Sequence, residues 1–256
     1  DSGQRFPGQR LPSVANPTLA DIMPNGANHL DGVTVYEYLP ELTYVVGNAS
    51  KAYDPDKLDQ NSGFLRSLVF LRAPGFWGKP VTVVFDKVTE SSGSAGPFVK
   101  RFLMHSVNEP LSFVGEGLVG ATAGSPLSGN TAVIQNGSGM LFAQTLLPEG
   151  AVLTKAGGKN AVADYRFMVP RCANNTCATD SDYQLKNYGL MTSDAEVAKN
   201  PDVGAWRIEV TAPVPSRREY FLHVLSVADN GAVSTPPGAR NLSSPSTAAA
   251  LLNNTH

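Results

Sequence analysis

The sequence predicts an all-β chain: an antiparallel β-sandwich of about a dozen strands with very little helix. Three observations carry this reading. Glycine (24) and proline (19) are abundant among the 256 residues, which suits many short strands joined by turns. The apolar runs have strand length and are rich in β-branched and aromatic residues. Clusters of turn formers separate them at intervals of about 8 to 14 residues. No fixed-period repeat is present, which argues against a propeller or solenoid.

The elements follow in chain order. Residues 1–31 read as a loop-rich segment, with one helical turn in "PTLADIMPNG" between Pro17 and Pro24. The sandwich proper is expected over 32–230. "VTVYEYL" and "LTYVVGN" open it. In "FLRSLVFLR", Leu65, Ser67, Val69 and Leu71 share one face, and Phe64, Arg66, Leu68, Phe70 and Arg72 the other. Neither face is purely polar, so this strand is expected to be covered on both sides for part of its length. "VTVVFDKV" carries four valines and a threonine and has the length of a strand. Further strands are expected in "VKRFLMHSV", "LSFVG", "TAVIQNG", "GMLFAQTLL", "AVLTKAG", "ADYRFMV", "AWRIEVTA" and "EYFLHVLSV". "SDAEVAKN" is a second short helix, capped by Ser193. Residues 231–256 are rich in Pro, Ser and Ala and read as a poorly ordered tail or linker.

Composition removes whole classes of function. Hydrophobic residues reach 42%, enough for a core, and the net charge is −2. No basic stripe exists, so nucleic acid is excluded as a partner. No apolar run approaches the roughly 18 residues of a membrane-spanning helix. The start at Asp1, without Met, reads as that of a processed or excised chain. Cys172 and Cys177 flank a short polar loop, "CANNTC". A disulfide can close it if the Cα atoms come within about 7 Å, and it is the expectation here over free thiols. Zinc would need two more ligands, and no other Cys or His is near in sequence, so no metal site is expected. A disulfide points to a secreted or periplasmic location.

Each candidate motif has a plain structural counterpart. "GEGLVG" matches G-x-G-x-x-G at Gly115, Gly117 and Gly120, but no helix signal follows it, so a glycine-rich hairpin is the better reading. No P-loop, G-x-S-x-G elbow, H-E-x-x-H or EF-hand loop occurs. Asp86 and Glu90 could pair for acid–base work on sugars, but carboxylates at a strand end usually meet amides or lysines. Arg207 and Glu209 are expected to form an ion pair on a sheet surface. Trp77 and Phe76, in the Gly/Pro loop "APGFWGKP", are the candidate exposed aromatics for binding substrate. Of the four histidines, His105 shares its strand face with Leu103 and Val107, and His223 alternates with Phe221 and Leu225. His105 is the candidate catalytic side chain. The structural alternative is favoured: an inward-facing histidine bonded to a backbone carbonyl, whose replacement by Ala lowers thermal stability.

Four blocks in order carry a resemblance. "DSGQRFP", "VVFDKV", "KRFLMHSVNEP" and the pair "GAWRIEV" with "YFLHVLSVADN" resemble stretches of the C-terminal β-sheet region of heparinase II/III-type polysaccharide lyases. Ser2 stands where the first block has a glycine, and the third retains Lys100, Leu103, His105, Ser106 and Pro110. "TYVVGNASKAY" fits as well. The Gly/Ser-rich stretch around 115–139 has no counterpart in the pattern. The resemblance implies an α/α toroid followed by stacked β-sheets, acting on uronic-acid polysaccharides by β-elimination. It implies that a toroid Tyr and His, a further His and the zinc ligands all belong to stretches upstream of the one resembling Asp1–Pro7. On that footing no cofactor is expected in this segment. Its expected partners are an anionic polysaccharide and the N-terminal part of the same enzyme. His105 becomes a support residue behind the cleft. The alternatives are a non-catalytic glycan-binding module, for which Trp77 and Phe76 would supply the aromatics, and a structural or adhesive surface module.

Overall fold

The computed structural model describes residues 18–24, 26, 29–115, 117–121, 125–157, 206–231, 235–244 and 249–253, and the backbone at 168–172 and 183–187. Among the described residues helix is confined to one turn, α1 (Leu19–Ile22), and a 3-10 turn at Ser50–Ala52. Sixteen strands make up the rest: β1 (Gly32–Tyr38), β2 (Leu42–Asn48), β3 (Phe64–Leu71), β4 (Val81–Thr89), β5 (Arg101–Ser106), β6 (Leu111–Val114), β7 (Gly117–Val119) and β8 (Thr131–Asn136). They continue as β9 (Gly139–Leu147), β10 (Val152–Gly157), β11 (Met168–Cys172), β12 (Tyr183–Asn187), β13 (Trp206–Thr211), β14 (Arg218–Asp229), β15 (Gly238–Asn241) and β16 (Ala250–Asn253).

Nine strands form one antiparallel sheet in the order β1-β2-β3-β4-β14-β9-β8-β6-β7, and three form a second, β10-β13-β5. The small sheet lies over the middle of the large one. Their shared core is Val84, Ala132, Ile134, Ala143 and Phe221 from below, with Phe102, Leu153, Ile208 and Val210 from above. Each strand contributes every second residue to that layer, as strand geometry requires. The opposite face of the large sheet is also covered. Val81, Leu146, Leu222 and Val224 pack there against Phe76, Trp77, Ala239, Ala250 and Leu252. The last three come from the β15–β16 hairpin, which arises within the segment expected to be tail or linker. The central strand β14 is therefore buried on both faces, and Phe221, Leu222 and Val224 are each about 1% exposed or less.

"GEGLVG" is the β6–β7 hairpin, where Gly115 turns the chain at φ +62°. The short helix expected at "SDAEVAKN" and the Cys172–Cys177 disulfide involve positions outside the described residues.

The two strand histidines part company. In β5 it is Phe102, Met104 and Ser106 that point into the sandwich, while Leu103, His105 and Val107 are exposed. The expectation of an inward-facing His105 is thereby corrected. β5 is an edge strand of the small sheet, and the larger Phe102 takes the core. His223 is the buried one, 2% exposed, with its ring stacked 3.9 Å from the Phe102 ring. Loss of a buried ring costs about 2–4 kcal/mol, whereas an exposed substitution stays near 0.5 kcal/mol. Urea denaturation is expected to show His223→Ala strongly destabilised and His105→Ala close to the parent.

Candidate functional site

The small sheet covers only part of the large one, and its edge is β5. Beyond that edge the inner face of β1, β2 and β3 continues as an open ledge. Register fixes which residues lie on it. Tyr36 pairs with Val45, Val45 with Leu68, and Leu68 with the core residue Val84, so all four share the inner face. Tyr38, Thr43 and Phe70 form the next row by the same logic. Tyr36 (63% exposed) and Tyr38 (62%) stand in solvent, and Phe70 is half exposed. Large aromatic surface left open in this way is a feature of binding sites rather than of plain sheet faces.

Two arginines frame the ledge. Arg66 lies at its inner boundary, under β5. Its Nε and Nη2 donate to Asp86 Oδ1 and Oδ2 at 2.7 and 2.6 Å. Its guanidinium also lies 5.4 Å from the centre of the Phe102 ring and 5.5 Å from that of Phe64. Asp86 is 2% exposed. Burial pushes its carboxyl above the ordinary range, against the pull of the Arg66 bonds and charge. Tyr53 meets Phe64 edge-on, and burial raises its phenol too.

Arg72 lies at the outer end. Its Nη1 donates to the Leu39 and Pro40 carbonyls, and its Nη2 bonds the Thr43 hydroxyl. The guanidinium stacks 4.6 Å from the Tyr38 ring centre and 5.8 Å from that of Phe70. Among the described residues no carboxylate reaches it.

The interior beside the ledge is not arranged for acid–base chemistry. His223 Nδ1 shares a hydrogen bond of 3.1 Å with Thr145 Oγ1, and Nε2 meets only the apolar lining of a small cavity. Burial, assisted by the charge of Arg66, holds its pKa down to about 3. It is a neutral, enclosed ring with no path to a polymer.

The residues singled out from sequence lie apart. His105 is on the outer surface of the small sheet, opposite Arg207. Its pKa is lowered by partial burial and by the Arg207 charge. Trp77 lies on the outer surface of the large sheet, so the full sandwich separates the two. Trp77 is no free platform. Its Nε1 donates to the Val227 carbonyl at 2.8 Å and its ring meets Phe142 edge-on. Phe76 packs beside it, so both anchor their loop to the sheet. Asp86 and Glu90 serve separate networks. Burial alone would raise the Glu90 carboxyl, but donation by Lys100, the Phe98 amide and Ser94 holds it below its usual value. Lys100, retained in the lyase-like block, thus ties the end of β4 to the start of β5 and, through the Ser216 carbonyl, to the approach to β14. The expected Arg207–Glu209 pair is present at 2.5 Å.

Among the described residues no group of three or more His, Cys, Asp and Glu is placed to hold a metal ion.

No protein-family model matches the chain, and no curated protein matches it. Among solved structures it is similar to a mutant of the heparan sulfate lyase HepC from Pedobacter heparinus, with a TM-score of 0.42 and 13% identity. The likeness covers 87% of this chain and 26% of that one, so this chain spans about a quarter of that lyase's length.

Asp86→Asn leaves Arg66 without its fork partner. The cost is expected to be about 2–3 kcal/mol, less than for a fully buried pair because the Arg66 side chain is 41% exposed. Replacing both, as Arg66→Met with Asp86→Leu, should recover most of that loss in urea denaturation. The unfolded chain protonates His223 near pH 6.5, whereas the folded chain resists until about pH 3. Protons therefore favour the unfolded state, and stability falls as pH drops through this window, by up to about 1.4 kcal/mol per unit. His223→Gln should flatten that slope relative to the parent.

Proposed function

We propose that this chain is the β-sandwich portion of a secreted polysaccharide lyase acting by β-elimination on uronic-acid polysaccharides. Its part is to brace the cleft and hold the polymer, not to supply the catalytic set. The ledge carries this reading: Tyr36, Tyr38 and Phe70 lie exposed on one face of β1–β3, with the half-buried Arg72 guanidinium against Tyr38. Exposed aromatic faces suit sugar rings, and a guanidinium with no acidic partner suits an anionic polymer. The lyase-like blocks support it as well. The block at Asp1–Pro7 lies outside the described residues; the others are β4, β5 and the pair β13 and β14, strands that meet around the Phe102–His223 stack. The groups that the resemblance assigns to catalysis have no matched positions here. The enclosed, neutral His223 is no substitute for them.

The test uses the purified 256-residue chain with heparan sulfate, hyaluronan and polygalacturonate. Retention on the immobilised polymer is expected, with no rise in the ultraviolet absorbance of unsaturated uronides. A rise would show a complete lyase and overturn the assignment of a supporting role. Binding to none of a broad glycan array would leave a structural or adhesive module instead.

A further inference from the structure

Arg66, near the start of β3, and Arg72, just past its end, lie on the same face of one chain segment, yet their hydrogen-bonding valence is met differently. A guanidinium offers five N–H donors in a rigid fork. Arg66 spends its Nε–Nη2 edge on the buried Asp86 carboxylate. Arg72 makes three bonds, all to neutral acceptors: two carbonyls at Nη1 and one hydroxyl at Nη2. Its Nε and the second Nη2 hydrogen have no partner among the described residues. Arg72 is half-buried, and its Nε is not fully enclosed. Arg72 therefore keeps Nε and one Nη2 hydrogen without a protein acceptor among the described residues, where Arg66 has its Nε–Nη2 edge closed by a carboxylate.

The fork is also held still. The Tyr38 and Phe70 rings flank the guanidinium, and the Leu39 and Pro40 carbonyls fix its far side. A side chain already ordered loses little entropy on binding. Tyr36 projects from the same face two residues from Tyr38, about 7 Å along the strand, with its ring open.

From this geometry we infer that Arg72 is a subsite for the carboxylate of a uronic-acid residue, whose sugar ring lies against Tyr36. The choice of a saccharide as the bearer of that carboxylate rests on the function proposed above. The fork and its missing acid do not. The unpaired cation accounts for selection of acidic over neutral sugars, and bidentate geometry accounts for selection of a planar carboxylate.

The test is calorimetric titration of the whole chain with oligosaccharides of hyaluronan, heparosan, alginate and polygalacturonate, and with the carboxyl-reduced form of whichever binds. Carboxyl reduction, which needs no variant, should weaken binding at least about tenfold. Arg72→Gln should do the same, and Arg72→Lys should restore only part, because an ammonium cannot form the fork. Tyr36→Ala should weaken binding while leaving the Arg72 stack and the melting temperature unchanged. Higher ionic strength should lower affinity. Equal binding of the reduced sugar, or undiminished binding by a folded Arg72→Gln chain, overturns the subsite and leaves the glycan-holding role standing. A preference for sulfated chains that survives carboxyl reduction also overturns it. Absence of binding to every oligosaccharide overturns the subsite and the proposed function together.

Discussion

The fold turns on one ion pair, Arg66 with Asp86. Asp86 lies under the small sheet, where an ionised carboxylate alone would cost several kcal/mol. Arg66 offsets that cost with two short bonds from the adjacent strand. In doing so it locks β3 against β4 at the line where the second sheet ends. Its guanidinium also reaches the ring of Phe102, the edge residue of that sheet. Phe102 in turn stacks on His223, and the same positive charge helps keep His223 neutral. One charge thus binds two strands, touches the edge of the upper sheet and adds to the burial that keeps the core histidine neutral.

The ledge exists because the small sheet has three strands and the large one nine. Three strands spaced about 4.8 Å apart cannot span nine. The covered region is β4, β14, β9 and β8, where apolar residues face both ways. The uncovered region is β1, β2 and the end of β3 around Phe70, where no described residue covers the aromatic rings of the inner face. Val33, Val35, Tyr36 and Tyr38 of β1 are all exposed, although the strand is paired on one side only. Such an edge invites association unless something occupies it.

Much of this was legible in the sequence, and the gaps have physical causes. Strand length, valine content and turn spacing were enough to predict an all-β antiparallel sandwich. The alternation Phe64, Arg66, Leu68, Phe70, Arg72 already marked the face that becomes the ledge, but "VYEY" had to be paired with it before the site was visible. His105 went to the wrong side because each face of "FLMHSV" holds two apolar residues and one polar residue. Alternation cannot choose between such faces. Packing chose, by placing the larger Phe102 opposite His223. Trp77 was expected to be exposed because its loop is rich in Gly and Pro, yet a loop lying on a sheet buries its aromatics there. The β15–β16 hairpin was hidden by composition. Its strands are four residues each and gain stability only by covering the large sheet, which no local pattern records.

The contrast between the two arginines follows from where the lid stops. At the margin of the second sheet the Asp86 carboxylate is buried, and an unpaired charge there is costly. Arg66 therefore needs Asp86. One strand's length away no described residue forms a lid. There a guanidinium can keep part of its fork toward solvent at little cost, provided that neighbouring groups hold it in place. Leu39, Pro40, Thr43, Tyr38 and Phe70 do so without neutralising it. Stability alone would favour an acid at that position, as it does at Asp86. Its absence among the described residues leaves a fixed, uncompensated cation beside open aromatic rings, and that combination is what distinguishes a recognition surface from a solvated sheet edge.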